Sequence, residues 1–552
     1  MIGPGPKCMR PEASIPRGMS PRVAVGRLVG MRPLVLLRAV ALLALGGLGA
    51  PIDLPAQTAK KPAAVTSRTS ARSTSRSARS RRRPARPTIR AGKPVGVDSL
   101  VAHLGRVLRA AANGRWGAIV VSAETGDTLF AREADGSFLP ASTMKLYTAA
   151  VALDRFGPQH QFQTEVLRNG PILVDGTIDG DLILRGAGDP TLGVDGPAVN
   201  ALDALAAQVA DAGIRVVRGD VLGDATAFEA RRVPEGWKAA NLRTRFAPRV
   251  SALSLASNMT SVVVRPSGRQ AVVGLGGQQD GVPVRSSVTV RQGSRSAAVR
   301  VRHDTLTGRV NVSGWIGSRS RARSYRLMIE TPETFAAAAF RTALERRGVE
   351  VLGESKAGAA PLTAQPVTAW ASQPLERLVA RMNEESDNHF AELIFRNAAR
   401  ATGTVGSAAE ADATLREFLS AQVGVSRGAV SARDGSGLST LDRVTPRSMV
   451  QLLAYAPRTP WGESFRNSLP IAGRTGTLAS RMRGTAAQDN VRAKTGTTGS
   501  VISLGGYVTT REGEELVFSF IYNGTSLSRA RVAIDAMSVT LANFSRAGTA
   551  GN

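Results

Sequence analysis

The sequence is poor in the residues that bind metals or form disulfides. It has one cysteine and four histidines, His103, His160, His303 and His389, with no His-x-x-x-His pair among them. Cys8 precedes an apolar leader-like segment, so an exported form would have no disulfide, no thiolate metal site and no lipid-bearing N-terminal cysteine. A zinc hydrolase is disfavoured, and no metal or cofactor is predicted.

Lysine is also scarce. Of the 71 Lys and Arg residues only 8 are lysines, and four of these lie between Pro94 and Asn552. Arginine cannot release its proton at usable pH, whereas burial or a neighbouring cation can turn a lysine amine into a base. Two of the four lysines, Lys145 and Lys494, lie in short motifs. We therefore predict a chemical role for both.

Positive charge is concentrated near the N-terminus. Residues 1–93 hold 19 Lys and Arg against 2 Asp and Glu, within a net formal charge of +28 for the chain. Residues 1–56 are predicted to be a leader with a signal peptide, with Met31 as the predicted start and an apolar run from Ala39 to Leu48. This predicts an exported protein of the periplasm or the extracytoplasmic cell envelope.

Residues 57–93 are rich in Ser, Arg, Pro and Ala and are predicted to form a disordered basic linker. The linker has two interpretations. It is either a solvated tether or a segment that adheres to an anionic envelope polymer or lipid. Nucleic acid is not expected as a partner, because the segment has no interleaved aromatic residues and its predicted location is outside the cytoplasm.

The two ends of the remaining chain have similar patterns. Strand, turn and strand patterns occur at 118–131 and again at 501–522, each beside apolar helical segments. We predict an α/β (α+β) fold in which both ends build one antiparallel sheet flanked by helices, split by a long insertion. The predicted domains are a catalytic domain at 94–163 and 366–545, an inserted α/β domain at 164–260 and 328–365, a nested β subdomain at 261–327, and a tail at 546–552.

Three short motifs carry the chemical signal. They are Ser142-Thr143-Met144-Lys145, at the start of an apolar helix, then Ser386-Asp387-Asn388, on a turn between two helices, and Lys494-Thr495-Gly496, just before a strand. None is specific alone. Their order and their settings together favour a serine acyl-transfer site.

Each motif residue has a predicted role. Ser142 is the nucleophile and Lys145 the base that takes its proton, with a pKa lowered by burial and by the cation Lys494. Ser386 would relay a proton to the leaving amine, and Asn388 would bind the substrate amide. The backbone N–H groups of Ser142 and Thr497 would form the oxyanion hole. Lys494 and Thr495 are predicted to bind a free carboxylate at the substrate's C-terminus, and Gly496 and Thr497 are predicted to bind the substrate beside them.

Simpler interpretations stay open for some of these segments. Ser142 can be only a helix cap, and Ser386-Asp387-Asn388 can be capping chemistry. Arg474-Thr475-Gly476-Thr477 resembles the third motif but has arginine in place of lysine and precedes a polar stretch. Gly424-Val425-Ser426-Arg427-Gly428 matches a nucleophile elbow but follows a helix, so we predict a loop. Asp434-Gly435-Ser436-Gly437-Leu438 is predicted to be a turn.

The three motifs, together with Gly188-Asp189-Pro190-Thr191-Leu192, Ala247-Pro248 and Asp434-Gly435-Ser436-Gly437-Leu438, resemble the D-Ala-D-Ala carboxypeptidase/endopeptidase family of class C low-molecular-mass penicillin-binding proteins. The resemblance covers about residues 98–545. It implies a serine β-lactamase/transpeptidase-like domain that hydrolyses peptidoglycan pentapeptides or cross-linked peptides through an acyl-enzyme on Ser142. β-Lactam antibiotics would acylate the same serine.

The chain departs from the family at one place. Members have an aspartate shortly before the Ala-Pro segment, thought to meet the free amine of the diaminopimelate side chain, but residues 238–243 contain no acid. The preferred peptide is therefore open. Two alternatives of other classes remain, a β-lactamase on the same scaffold and a non-catalytic wall-binding protein.

Overall fold

A computed structural model describes residues 89–111, 113–193, 200–276, 283–401, 403 and 405–546. The predicted leader, most of the basic linker and nearly all of the predicted tail lie outside these residues. No helix in the described part of the chain is long and apolar enough to cross a membrane.

The described chain contains both helices and strands throughout its length. The helices are α1 (Val97–Ala110), α2 (Met144–Phe156), α3 (Ala201–Asp211), α4 (Pro332–Arg346), α5 (Leu375–Glu384), α6 (Asn388–Arg400), α7 (Ala408–Phe418), α8 (Pro446–Tyr455), α9 (Gly462–Asn467) and α10 (Leu527–Ala542). The first strands are β1 (Arg115–Ser122), β2 (Thr128–Arg132), β3 (Gln163–Arg168), β4 (Thr177–Ile178), β5 (Leu182–Arg185), β6 (Val216–Val217) and β7 (Val221–Asp224). They are followed by β8 (Met259–Ser267), β9 (Gln270–Gly276), β10 (Val284–Arg291), β11 (Ala297–His303), β12 (Val310–Gly317) and β13 (Arg323–Met328). The last are β14 (Glu350–Val351), β15 (Ser355–Ala357), β16 (Gln365–Ala371), β17 (Val430–Ser431), β18 (Arg443–Val444), β19 (Arg492–Thr497), β20 (Val501–Thr509) and β21 (Glu515–Asn523).

One antiparallel sheet joins the two ends of the chain. Its strand order is β19-β20-β21-β1-β2, so β1 pairs with β21 across nearly four hundred residues of sequence. The central strands β20 and β21 are buried on both faces, which is why they have continuous runs of Val, Leu, Ile and Phe rather than alternation. Helices α1 and α10 cover one face and α8 covers the other.

Helix α2 lies at the centre of the helical layer. Ten of its residues, from Met144 to Leu153, are buried, because α5, α6, α7 and α8 all pack around it. A helix that is buried on all sides can carry a polar side chain only if that chain finds partners inside the protein. Lys145 is such a side chain.

Two further sheet systems come from the middle of the chain. The first is a mixed five-stranded sheet of order β15-β7-β5-β3-β16, with α4 packed against β7 and β15 and α3 against β16. Strands of a small parallel sheet, β14-β6-β4, come between those of the five-stranded sheet along the chain. The second is a six-stranded sheet of order β11-β12-β10-β9-β8-β13. Along β8, β11 and most of β12, more buried residues alternate with less buried ones, so only one face joins the core.

Candidate active site

Ser142 is placed by a tight turn at the start of α2. Ala141 has φ of +50°, and residues Ala141–Thr143 form a short 3-10 turn that leads into the helix. The turn is fixed by the carbonyl of Pro140, which accepts hydrogen bonds from Thr143 Oγ1 at 2.7 Å and from Ser503 Oγ at 2.6 Å. Gly437 passes so close to this turn that a Cβ there would overlap the carbonyl oxygen of Ala141.

Lys145 lies one helical turn after Ser142 and is fully buried. Its Nζ donates to Ser142 Oγ at 3.2 Å, to Asn388 Oδ1 at 2.7 Å and to the carbonyl of Ser436 at 2.8 Å. Three partners match the three hydrogens of an ammonium group. When the amine is neutral, its lone pair can face Ser142, the one partner that has a proton to give.

Burial lowers the pKa of Lys145 to about 8, and nearby carboxylates oppose the shift. Asp434 raises the pKa most, followed by Asp387, Glu392 and Asp442. A lysine with this pKa has a sizeable neutral fraction in mildly alkaline solution. The amine is therefore suited to accept the proton of Ser142.

The second motif stands on the turn between α5 and α6. Ser386 has φ of +57°, and Asp387 caps α6 by accepting from the backbone N–H of His389 at 2.8 Å and of Phe390 at 3.2 Å. The strained turn points Ser386 and Asn388 to the same side. Asn388 Nδ2 donates to the carbonyl of Phe246 at 2.7 Å, so this side chain links Lys145 to the segment before Pro248.

Lys494 on β19 holds Ser386. Its Nζ donates to Ser386 Oγ at 2.9 Å and to the carbonyl of Thr495 at 3.0 Å, and the residue is fully buried. Burial lowers the pKa of Lys494 well below its ordinary value, and the charge of Lys145 lowers it further. Repulsion between two cations is mutual, so each amine disfavours the protonated form of the other, but burial is the main cause of both shifts.

The three motifs meet at one open cleft of about 570 Å³. Ser142, Ser386, Asn388, Thr495 and Thr497 all line it, whereas Lys145 and Lys494 lie beneath its floor. Gly496 allows β19 to lie close to the turn that carries Ser142, because a Cβ at this position would overlap Ser503 Oγ and crowd the carbonyl of Pro140. The remaining lining residues are Asn241, Arg245, Phe246, Glu385, Gly437, Leu438, Thr477, Ser480, Arg481, Thr498, Gly499 and Arg531.

The segment that resembles the third motif contributes to the same cleft. Thr495 Oγ1 donates to Thr477 Oγ1 at 2.8 Å, and Thr477 lines the cleft. Arg474 forms an ion pair with Asp489 and does not line the cleft. Sequence reasoning treated this segment only as a rival to Lys494-Thr495-Gly496. The Thr-Gly-Thr repeat was the signal that both segments belong to one site.

A buried acidic cluster below Lys145 was also missed. Glu392 Oε1 and Asp434 Oδ1 accept from the backbone N–H of Ser436 at 3.0 and 3.1 Å. Asp434 Oδ2 accepts from Trp237 Nε1 at 2.6 Å. Burial raises the pKa of Glu392 to about 8 and that of Asp442 well above its ordinary value. The Asp434–Leu438 turn is therefore more than backbone geometry, because it aims the Ser436 carbonyl at Lys145.

The other candidate residues, Ser426 and His389, do not line the cleft. Ser426 lies in a loop after a helical turn and is not among the cleft residues. His389 is buried in α6, where burial lowers its pKa to about 4. Among the described residues, no group of three or more His, Cys, Asp or Glu side chains is arranged to hold a metal ion.

Comparisons with known proteins agree with this geometry. The sequence model of the D-Ala-D-Ala carboxypeptidase 3 (S13) family matches residues 100–544. A D-alanyl-D-alanine carboxypeptidase of Actinomadura sp. (strain R39) is 35% identical over 445 residues, which cover 78% of this chain and 81% of the relative. The D-alanyl-D-alanine carboxypeptidase DacB of Haemophilus influenzae is 28% identical over 402 residues, 70% of this chain and 81% of the relative.

A solved structure has the same architecture. The crystal structure of penicillin binding protein 4 (dacB) from Haemophilus influenzae superposes with a TM-score of 0.66 at 26% identity, covering 80% of this chain and 98% of that one. The predicted fold class, a β-lactamase/transpeptidase-like domain with inserted domains, is confirmed by this match.

Proposed function

The chain belongs to the D-Ala-D-Ala carboxypeptidase 3 (S13) family and is a serine-type D-Ala-D-Ala carboxypeptidase that acts on peptidoglycan, and we propose that it works through an acyl-enzyme on Ser142. The observation that carries the proposal is the contact of 3.2 Å between Lys145 Nζ and Ser142 Oγ inside a buried network. It pairs a nucleophile with a base of suitable pKa at the floor of an open cleft.

The proposed reaction has two steps. Ser142 Oγ attacks the carbonyl carbon of the penultimate D-alanine while neutral Lys145 takes the hydroxyl proton. The backbone N–H groups of Ser142 and Thr497 stabilise the oxyanion. The C–N bond then breaks, and the terminal D-alanine leaves as its amine takes a proton through Ser386. Water hydrolyses the ester in the second step and restores Ser142.

Recognition of the terminal carboxylate is proposed for the threonines of the cleft. Thr495 and Thr497 line it, while the Lys494 amine is turned toward Ser386 beneath them. Lys494 therefore acts on the proton relay through its hydrogen bond to Ser386, which the amine can donate whether it is protonated or neutral. β-Lactams carry a carboxylate in the corresponding place, so we propose that they enter the same cleft and acylate Ser142.

The pH dependence of D-alanine release tests this mechanism. Lys145 must be neutral to act as the base, and its pKa is about 8. We expect kcat/KM for a soluble acyl-D-Ala-D-Ala peptide to rise about tenfold per pH unit below that value and to level off above it. A stopped assay of released D-alanine measures the profile. A rate that is flat across neutral pH, or that falls as the pH rises toward 8, would contradict a neutral Lys145 base.

The peptide preference is proposed to differ from that of relatives with an acid in the segment before Ala247-Pro248. In that segment Asn241 and Arg245 line the cleft, and Arg531 lines it from another part of the chain. Glu385 is the one carboxylate residue that lines the cleft among the described residues. Such a lining favours substrates without a free side-chain amine. Asn241→Asp is expected to raise kcat/KM about tenfold for a peptide with a free diaminopimelate amine and to leave an acetylated peptide unchanged. Equal effects on both peptides would contradict this assignment.

We also propose an extracytoplasmic location and the domain division given above. The leader-like residues 1–56 would direct export, and the basic residues 57–93 would link the catalytic part to anionic polymer or lipid of the envelope. The residues predicted for the catalytic domain include all strands of the sheet that joins both chain ends. N-terminal sequencing of the mature protein tests the leader.

A further inference from the structure

The positive charge of the folded part is concentrated in one element of the structure. Residues 94–552 contain 52 Lys and Arg against 41 Asp and Glu, a net charge of +11. Within them, residues 259–328 have twelve arginines, no lysine or glutamate and two aspartates, a net charge of +10. These residues form the six-stranded sheet β8–β13. The rest of residues 94–552 is nearly neutral.

None of these arginines is neutralised inside the described structure. All twelve are exposed, and none forms an ion pair with an aspartate or glutamate in the described ranges. By contrast, Arg249, which precedes this sheet in sequence, is paired with Glu330 at 2.7 Å. Unpaired like charges repel one another and destabilise a compact domain. Such a group of unpaired cations on one sheet indicates a partner of opposite charge.

The strand register collects several arginines on the solvent face. On β10, β12 and β11, the alternate residues Val288, Val299 and Val312 pack into the core. The intervening residues therefore face solvent. Pairing aligns Arg285 with Asn311 and Asn311 with Arg302, while Arg300 lies opposite Ser313. We call Arg285, Arg291, Arg300 and Arg302 the arginine face.

Sheet geometry gives the spacing of this face. Arg300 and Arg302 are two residues apart on one strand, about 7 Å, and Arg285 is two strands away, about 10 Å. Between them lie only polar residues of β12, Asn311 and Ser313. Each guanidinium group can bind one anionic group through two N–H donors. The distances between these arginines suit successive anionic groups of one flexible polymer chain.

The arginine face favours some classes of polyanion over others, by their charge density and by whether they need an aromatic surface for stacking. Wall peptides carry amines as well as carboxylates, so their net charge density is low, whereas a phosphodiester chain has one uncompensated charge per repeat. The aromatic residue of the face, Trp315, is covered by the Arg291 guanidinium at 3.9 Å from its ring centre. It therefore offers no platform for stacking bases, as single-stranded nucleic acid would require.

We propose that the arginine face binds a phosphodiester-linked anionic polymer of the cell envelope and so holds the enzyme next to its peptidoglycan substrate. The proposal rests on the proposed function only for the location of the polymer, because binding at this face needs no catalytic residue. None of the four arginines lines the catalytic cleft.

The test compares two charge-matched triple variants of the full chain. Arg285→Gln/Arg300→Gln/Arg302→Gln removes three charges from the arginine face. The control, Arg427→Gln/Arg458→Gln/Arg511→Gln, removes three exposed arginines elsewhere. Both keep the basic N-terminal residues, so the contribution of those residues cancels. Binding of a synthetic poly(glycerol phosphate) oligomer is measured against salt concentration, with poly-glutamate of equal charge as a second ligand.

We expect the face variant to bind the phosphate oligomer at least about tenfold more weakly than the control variant at low salt. The slope of log affinity against log salt should fall by about 2, since each lost phosphate contact removes about 0.7. D-alanine release from a soluble peptide and the thermal unfolding temperature should be unchanged in both variants. Equal weakening in the two variants would overturn the assignment to this face, and equal affinity of the wild type for poly-glutamate would overturn the phosphodiester preference.

Discussion

Replacing Lys145 by arginine is expected to lower the rate of Ser142 acylation by about three orders of magnitude near pH 8. The substitution keeps the positive charge but removes the one group that, among the described residues, is hydrogen-bonded to Ser142 Oγ and can lose a proton near this pH. The rate is measured from the rise of covalently labelled protein after mixing with a fluorescent penicillin, and from D-alanine release in parallel.

The other lysines supply the control for this variant. Lys356 lies on β15, is exposed and forms an ion pair with Asp220. Lys356→Arg makes the same chemical change far from the cleft residues and should retain full acylation. Thermal unfolding of both variants separates loss of the base from loss of the fold, because Lys145 is fully buried and its replacement strains the packing of α2. A Lys145→Arg variant that acylates at the wild-type rate would exclude Lys145 as the base.

Replacing Lys494 by methionine is expected to lower kcat/KM for peptide hydrolysis by at least about a hundredfold. Methionine fills a similar volume but donates no hydrogen bond to Ser386 Oγ, which then loses its orientation toward the leaving amine. It also removes the amine from beneath the threonines that would bind the substrate carboxylate. We therefore expect kcat to fall and KM to rise, and both are measured with the same soluble peptide.

Arg474 provides the matched comparison within the chain. It stands at the same place in its Arg-Thr-Gly-Thr segment as Lys494 in Lys-Thr-Gly-Thr, yet it pairs with Asp489 at the surface. Arg474→Met should change kcat/KM by no more than about twofold, as expected for an exposed ion pair. Equal losses in the two variants would mean that the Thr-Gly-Thr segments, rather than the lysine, carry the function of the third motif.

The order of the motifs made much of the site predictable. Residue type and local setting predict Ser142, Ser386 and Lys494, and the structure brings all three to one cleft. That the two chain ends share one sheet was also predictable, since both have strand–turn–strand patterns beside apolar helices, although the strands that pair, β1 with β21, were not. Local sequence was enough in these cases because each feature is defined by a few neighbouring residues.

What could not be predicted depends on contacts between distant segments. Glu392 and Asp434 look like ordinary helix and turn residues, and only folding buries them together beneath Lys145. The four carboxylates that raise the pKa of Lys145 against the effect of burial likewise lie far from it in the sequence. The concentration of charge on β8–β13 is visible in the composition, but its placement on a solvent face requires the strand register.

The central claim is that Ser142 forms an acyl-enzyme, and intact-protein mass spectrometry after incubation with a penicillin tests it most directly. Opening of the lactam ring loses no atom, so the account predicts a mass increase equal to that of the whole antibiotic, located on the peptide that contains Ser142. The Ser142→Ala variant should show no increase. The same adduct on Ser142→Ala, or its absence from wild-type protein that releases D-alanine, would contradict the account.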